Sequence, residues 1–227
     1  MLDTLLSVLA PHYCISCGDF GEGLCEYCKY DIDSMHLEQC ADCKKPLFNG
    51  HCSRCYLPYK QLIACYPREG VIGQLVDKYK YDSRRGYTKT LAFLLHNTSP
   101  LLPSNSTIVP VPTSYDHVRQ RGFDHTILLA KEYARLPGHP MKNILGRRRN
   151  TRQVGASVQQ RKAQVHNLFF AKKPLDSSGT YVIIDDVITT GSTIKAAADA
   201  LQLAGASQII VVALSYQPRD KKALPVV

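Results

Sequence analysis

The chain predicts an α/β fold, a parallel sheet flanked by helices, with a small cysteine-rich module in front of it. Three observations lead there. Tyr181-Val182-Ile183-Ile184 is a continuous apolar run, the mark of a strand buried on both faces in a parallel sheet. Runs of this kind alternate with segments of helical periodicity. Eight of the nine cysteines fall in four Cys-x-x-Cys pairs, all before residue 58. With 227 residues there is room for one α/β domain and one accessory module. The expected boundary places residues 1–58 in the cysteine module and 59–227 in the α/β domain.

The elements follow in order. Met1 to Ala10 is apolar but short and carries Asp3 in place of a basic cluster, so it reads as a packing helix and not a signal peptide. No apolar run approaches the ~18 residues that cross a bilayer. The expectation is a cytoplasmic protein without a membrane span, with reduced thiols. Leu62 to Tyr66 is strand-like and contains the ninth cysteine, Cys65, as a small buried hydrophobe. Val71 to Tyr79 and Tyr87 to His96 have helical spacing. Ile108 to Pro112 is a short strand running into a proline-stiffened loop. Phe123 to Arg135 is a helix ended by Pro137-Gly138. Ser192 to Leu203 is an alanine-rich helix closed by Gly205, and Gln208 to Leu214 is the next strand. Strand, loop, helix and strand at this spacing make a βαβ unit.

The cysteines repeat. Cys14/Cys17 lead to Cys25/Cys28, and about 26 residues later Cys40/Cys43 lead to Cys52/Cys55. In a reducing compartment such pairs are metal ligands sooner than disulfides. A module this small buries little apolar surface, so bound metal must supply much of its fold. Four thiolates suit tetrahedral zinc and leave no open position for water, so two structural zinc ions are expected. The duplication favours sequential pairing, Cys14, Cys17, Cys25 and Cys28 on one ion and Cys40, Cys43, Cys52 and Cys55 on the other; a cross-braced scheme is the alternative. Removing Cys14 is expected to unfold this module and leave the larger domain folded.

The net charge of +9 is uneven. Residues 1–58 hold eight acids against four bases, whereas residues 142–173 hold nine bases and no acid. An anionic partner should meet the second segment. No aromatic residue lies among the bases between 142 and 167, which favours phosphate-backbone contact over base stacking.

The chemistry concentrates in Val182-Ile183-Ile184-Asp185-Asp186-Val187-Ile188-Thr189-Thr190-Gly191-Ser192-Thr193. A buried strand delivers two acids to its C-terminal end, where open α/β sheets bind ligands. The loop amides and the helix N-terminus favour a phosphate. Gly191 lets the backbone approach closely, and Thr189, Thr190, Ser192 and Thr193 add hydroxyl donors. Carboxylates repel phosphate, so Asp185 and Asp186 must serve another part of the ligand, such as ribose hydroxyls. A Walker A string and a Gly-x-Gly-x-x-Gly string are both absent.

This string resembles the phosphoribosyl pyrophosphate (PRPP) motif of type I phosphoribosyltransferases. Val109-Pro110-Val111-Pro112 followed by Arg119-x-Arg121-Gly122-Phe123-Asp124-His125 is similar to the Val-Pro-Val-Pro…Arg-Gly-Phe-Asn-Gln signature of the ComF family, also called GntX-like, with Asp124 and His125 in place of Asn and Gln. Arg149, Thr151, Gln153, Ser157, Arg161 and Asn167 match a further run of that family, and Lys80-Tyr81 its Lys-Tyr step.

The resemblance implies a type I phosphoribosyltransferase-like sheet behind a double zinc ribbon. It implies PRPP, or a related ribose 5-phosphate ligand, on Asp185, Asp186, Val187, Thr189, Thr190, Gly191, Ser192 and Thr193, with Mg²⁺ accompanying PRPP. Arg121 is expected near the pyrophosphate, where a guanidinium fork suits its oxygens. The stretch from Arg147 to Lys162 corresponds to a lid region. Two functions follow from the family. One is a PRPP-binding protein of natural competence and DNA uptake, with single-stranded DNA and other competence or DNA-translocation proteins as partners. The other is an active phosphoribosyltransferase, in which Asp185 and Asp186 are catalytic and position the ribose.

Overall fold

The computed structural model describes residues 13–20, 23–32, 34–40, 42–43, 45–81, 85–148 and 168–217. The expected helix over Met1 to Ala10 lies outside them, as do Arg149, Thr151, Gln153, Ser157, Arg161 and Asn167. The elements are α1 (Glu26–Tyr30), β1 (Gln61–Pro67), α2 (Gly70–Tyr81), a 3₁₀ turn (Arg85–Tyr87), α3 (Thr88–Thr98), β2 (Ser106–Pro110), α4 (Tyr115–Arg121), α5 (His125–Arg135), β3 (Leu145–Arg147), β4 (Phe169–Ala171), β5 (Thr180–Ile188), α6 (Ser192–Leu203) and β6 (Gln208–Tyr216).

β1, β6, β5 and β2 form one sheet in that order, and every pairing is parallel. Alternation along the strands sends side chains to two faces. On one face Val182, Ile184, Val212 and Leu214 pack with α2, α3 and α5 through Leu75, Leu91, Leu129 and Tyr133. On the other Ile183, Val211 and Ala213 pack with α6 and with the antiparallel β3–β4 hairpin. Ala196, Ala197, Ala198 and Ala200 are buried on α6, so that helix rests on small side chains. This is the expected parallel sheet between helices.

Besides α1 and the 3₁₀ turn, three described elements of the larger domain were not foreseen. α4 buries no residue, so it carries no apolar stripe for periodicity to detect. β3 and β4 have three residues each, too short for a pattern. The helix expected from Phe123 begins at His125, because the Asp124 side chain accepts from the Thr126 and Ile127 amides and caps it.

The cysteines gather as two quartets, Cys14, Cys17, Cys25 and Cys28, and Cys40, Cys43, Cys52 and Cys55, with each set of sulfurs within 4.8 Å of one another. Cys17 Sγ lies 3.7 Å from Cys25 Sγ, and Cys43 Sγ 3.6 Å from Cys52 Sγ. A tetrahedron with Zn–S bonds of ~2.3 Å has edges of about 3.8 Å. Each quartet could therefore hold a zinc ion, and the grouping is sequential.

The quartets meet the sheet in different places. Around the first, Cys14 and Leu24 are buried in the same core as α2, α3 and α5. Lys29 of α1 lies 5.3 Å from the Phe93 ring on α3. The second quartet's segment covers the outer edge of β1: the Leu37 amide donates to the Ala64 carbonyl at 2.9 Å, and the Leu62 amide to the Gly50 carbonyl at 3.0 Å. An open edge would leave such groups unpaired. At the other edge Ile108 of β2 exchanges hydrogen bonds with Pro140 and Lys142, forming a parallel bridge at Met141.

This arrangement gives two expected outcomes. Protein purified without chelator should contain two zinc ions per chain by metal analysis, and a ratio near zero with the fold intact would contradict the quartets. Leu24 is fully buried in the shared core, so Leu24→Ala should cost about 2–5 kcal/mol. Circular dichroism during heating should show the α/β helices melting earlier in that variant; an unchanged helix midpoint would mean that the two parts fold separately.

Candidate functional site

β2 stops at Pro110, opposite Ile184. The Val111 amide still donates to the Ile184 carbonyl at 3.0 Å, and then the chain turns away. β5 runs on beside β6 as far as Ile188. From Asp185 onward β5 thus lacks its β2 neighbour, and a cleft opens at the carboxyl ends of the strands, where ligands of open α/β sheets bind. Residues 111–114 form one wall, and residues 189–193 the other.

The second wall is built for an anion. Gly191 has φ 75°, a left-handed conformation that a Cβ disfavours, and α6 starts at the next residue. Thr189, Thr190 and Ser192 are exposed, and Thr193 is half-buried. Thr190 Oγ1 lies 2.7 Å from Ser192 Oγ. The hydroxyls and the positive end of a twelve-residue helix share one corner. Val187, expected at the PRPP site, belongs to the strand and packs partly buried against the core.

The two acids lead different lives. Asp186 is buried, 2% exposed, and its Oδ2 sits 2.9 Å from both Lys80 Nζ and His125 Nε2. His125 Nδ1 lies 2.9 Å from Arg121 Nη1. A guanidinium only donates, so Nδ1 accepts and the ring proton sits on Nε2, the nitrogen 2.9 Å from Asp186 Oδ2. Asp185 is half-buried, and its Oδ1 accepts from the Asp186 amide at 2.9 Å. Strand alternation turns it from the α2/α5 face toward the hairpin.

The same split appears in their protonation. Burial works to raise Asp186, but the charge of Lys80 and the contact with His125 outweigh it and hold the carboxyl well below the usual range. Burial also raises Asp185 and the negative charge of Asp186 adds to this; Lys80 and the hydrogen bond from the Asp186 amide pull the other way but do not prevail, so Asp185 sits above the usual carboxylate range. One acid is a fixed anion; its neighbour gains most from a hydrogen-bonding or cationic ligand.

Cations surround the cleft. Arg147, at the end of β3, donates from Nη1 to the Pro112 carbonyl at 3.1 Å and lies 5.4 Å from the Phe169 ring. Burial lowers its pKa while the Asp185 and Asp124 carboxylates oppose this, which places all three in one electrostatic neighbourhood. His117 is held below its usual value by burial and by Arg121 and Arg147. Arg121 is half-buried beside His125, whereas Arg119 is exposed on α4. Thr113 ties this wall to α5 by donating from Oγ1 to Asp124 Oδ1 at 2.9 Å.

The structure places Asp185 and Asp186 in β5, the Thr189–Thr193 loop between β5 and the start of α6, and Arg121 beside His125. It adds Lys80, His125 and Arg147. Two of these had a legible signal. Lys80 continues the buried stripe of Ile72 and Val76 at four-residue spacing, and His125 begins the stripe of Leu129 and Tyr133. A polar residue on an apolar stripe requires a buried partner. Arg147 was legible only as the first residue of the lid stretch, because a three-residue strand does not reveal which way its side chains turn.

Residues 126–224 match the phosphoribosyl transferase domain family. The chain is similar to Competence protein F of Haemophilus influenzae, 26% identical over 208 residues, covering 85% of this chain and 90% of that protein. It is 29% identical over 204 residues to DNA utilization protein YhgH of Salmonella typhi, covering 83% and 88%. It is 24% identical over 191 residues to Competence protein ComFC of Streptococcus pneumoniae, covering 82% and 84%. Among solved structures, the allosteric regulatory enzyme of purine biosynthesis aligns with a TM-score of 0.45 and 23% identity over 60% of this chain and 29% of that one. No helix among the described residues is long and apolar enough to cross a membrane.

The buried ion cluster sets a pH signature. Removing one partner of a buried pair costs about 3–5 kcal/mol, so Lys80→Met should destabilise the protein strongly at neutral pH. Asp186 is depressed in the folded state, so its contribution holds above its unfolded value of about 3.9 and fades as pH falls through the folded value. In Lys80→Met the same acidification protonates a poorly compensated carboxylate and relieves it. Urea unfolding across pH should show the gap between wild type and variant narrowing toward acid; a gap that widens would contradict the cluster.

Proposed function

We propose that this chain, which is similar to the proteins named Competence protein F, Competence protein ComFC and DNA utilization protein YhgH and matches the phosphoribosyl transferase domain family over residues 126–224, binds PRPP, or a similar ribose 5-phosphate ligand, and acts in DNA uptake. The observation that carries the reading is the composition of the cleft: a hydroxyl-rich helix N-terminus, one open carboxyl and a ring of cations at the ends of β2 and β5.

In this reading the 5-phosphate sits on Thr189, Thr190, Gly191, Ser192 and Thr193, where amides and hydroxyls converge. Asp185 takes a ribose hydroxyl. Asp186 does not reach out with it; committed to Lys80 and His125, it holds Asp185 and α5 in place. Arg121 and Arg147 face the pyrophosphate, whose planar oxygen pairs suit guanidinium forks. Mg²⁺, when bound with PRPP, would neutralise part of the pyrophosphate charge. The basic segment serves single-stranded DNA, and competence or DNA-translocation proteins are the partners this role calls for.

Arg121 and Arg147 also support a second reading, transfer of the phosphoribosyl group to an acceptor, since both could stabilise charge developing on a leaving pyrophosphate. Pyrophosphate release with candidate bases separates binding from turnover. For binding itself, calorimetry with PRPP should show Asp185→Asn at least tenfold weaker while circular dichroism stays at wild type. Thr190→Val should lose about 1–3 kcal/mol through a hydrogen bond to a charged phosphate. Undiminished affinity in Asp185→Asn would move the ribose elsewhere.

A further inference from the structure

The β3–β4 hairpin divides the basic segment in two. Register pairs Arg147 with Phe169 and Gly146 with Phe170. Alternation then turns Leu145, Arg147 and Phe169 inward and Gly146 and Phe170 outward, with Arg148 and Lys172 two positions along on the outer side. Burial agrees: Phe169 is 4% exposed and Phe170 42%. Arg147 therefore serves the cleft, and Arg148 faces solvent.

The outer side has an aromatic surface with cations beside it. The Phe170 ring lies flush on Gly146, so closely that a Cβ there would run into it. Arg148 places its guanidinium 5.8 Å from the ring centroid. Lys172 is exposed and anchored by Nζ to the Asn143 carbonyl at 3.0 Å. No acid occurs anywhere between residues 142 and 173. Covering a strand glycine with a cross-strand aromatic is itself stabilising, and that alone accounts for the ring's position. It does not account for an arginine and a lysine at an exposed ring on a segment without acids.

We propose that this outer face, Gly146, Arg148, Phe170 and Lys172, is a stacking platform for single-stranded nucleic acid. A base lies on Phe170, Arg148 extends the stack and meets phosphate, and Lys172 neutralises the neighbouring phosphate. Charge complementarity selects a polyanion, and the flat ring selects one with unpaired bases. The platform rests on the DNA reading above and gives it a location on the hairpin face opposite Arg147.

The chain contains no tryptophan, so Phe170→Trp makes a single fluorescent reporter that still covers Gly146. Its emission should be quenched by oligo(dT) and little affected by an abasic oligomer of equal phosphate number, both added to saturation. Phe170→Leu keeps an apolar cover without a π-face and should weaken oligo(dT) binding by about tenfold. Arg148→Ala should weaken it and flatten its salt dependence. PRPP binding should stay at wild type in all three and serves as the check on folding. If wild type itself ignores oligo(dT), the DNA reading falls and the platform with it. If wild type binds but Phe170→Trp is not quenched and Phe170→Leu binds as wild type does, the platform alone is overturned. Equal quenching by an acidic peptide would also overturn it, in favour of an acidic protein surface.

Discussion

Asp186 is the group on which the rest of the site depends. A carboxylate at that depth would cost several kcal/mol if left alone. Lys80 from the last turn of α2 and His125 from the first turn of α5 both come within 2.9 Å, so one oxygen holds two helices and the central strand together. The contact extends outward. Tyr79 donates to the His125 carbonyl at 2.7 Å, and Arg121 fixes the His125 tautomer from the cleft side. Buried anion, imidazole and guanidinium form one line from the core to the ligand mouth. Together with burial, the same anion raises its neighbour Asp185, so the half-buried acid owes part of its character to the fully buried one.

The cysteine module has a comparable dual role. One quartet sits over the α2/α3 core, and the other segment pairs with the outer edge of β1. A four-stranded parallel sheet with a bare edge would present unpaired amides and carbonyls to any passing strand. Two thiolate quartets that could each hold zinc keep this cover rigid without needing an apolar core of its own. The cysteine quartets are thus tied to the edge and core of the sheet and stand apart from the cleft.

The hairpin shows how a charge cluster is sorted by backbone geometry. Arg147 and Arg148 are adjacent and chemically identical, yet one lies by Phe169 and the Pro112 carbonyl while the other lies by exposed Phe170. The absence of aromatics between residues 142 and 167 favoured contact with phosphate alone. The two phenylalanines that matter come just after that window, brought beside the arginines by antiparallel pairing.

The sequence by itself determined the parallel sheet, because fully buried strands must be apolar throughout. It determined the four Cys-x-x-Cys pairs, because that spacing is local, while the grouping of pairs into sequential quartets came from the structure. It determined the loop from Thr189 to Thr193 and the acids before it, because strand, glycine turn and helix N-terminus are consecutive in the chain. Tertiary structure decided which acid is held by Lys80 and His125 and which is left half-buried, since Asp185 and Asp186 differ only in what packs against them, and Lys80 and His125 are 106 and 61 residues away from Asp186 along the chain. It also gave Asp124 and His125 their roles, a helix cap and a buried neighbour of Asp186, which a comparison of letters at two positions could not supply. Periodicity reports the face of a long element; which neighbour waits on that face is fixed only when the chain closes on itself.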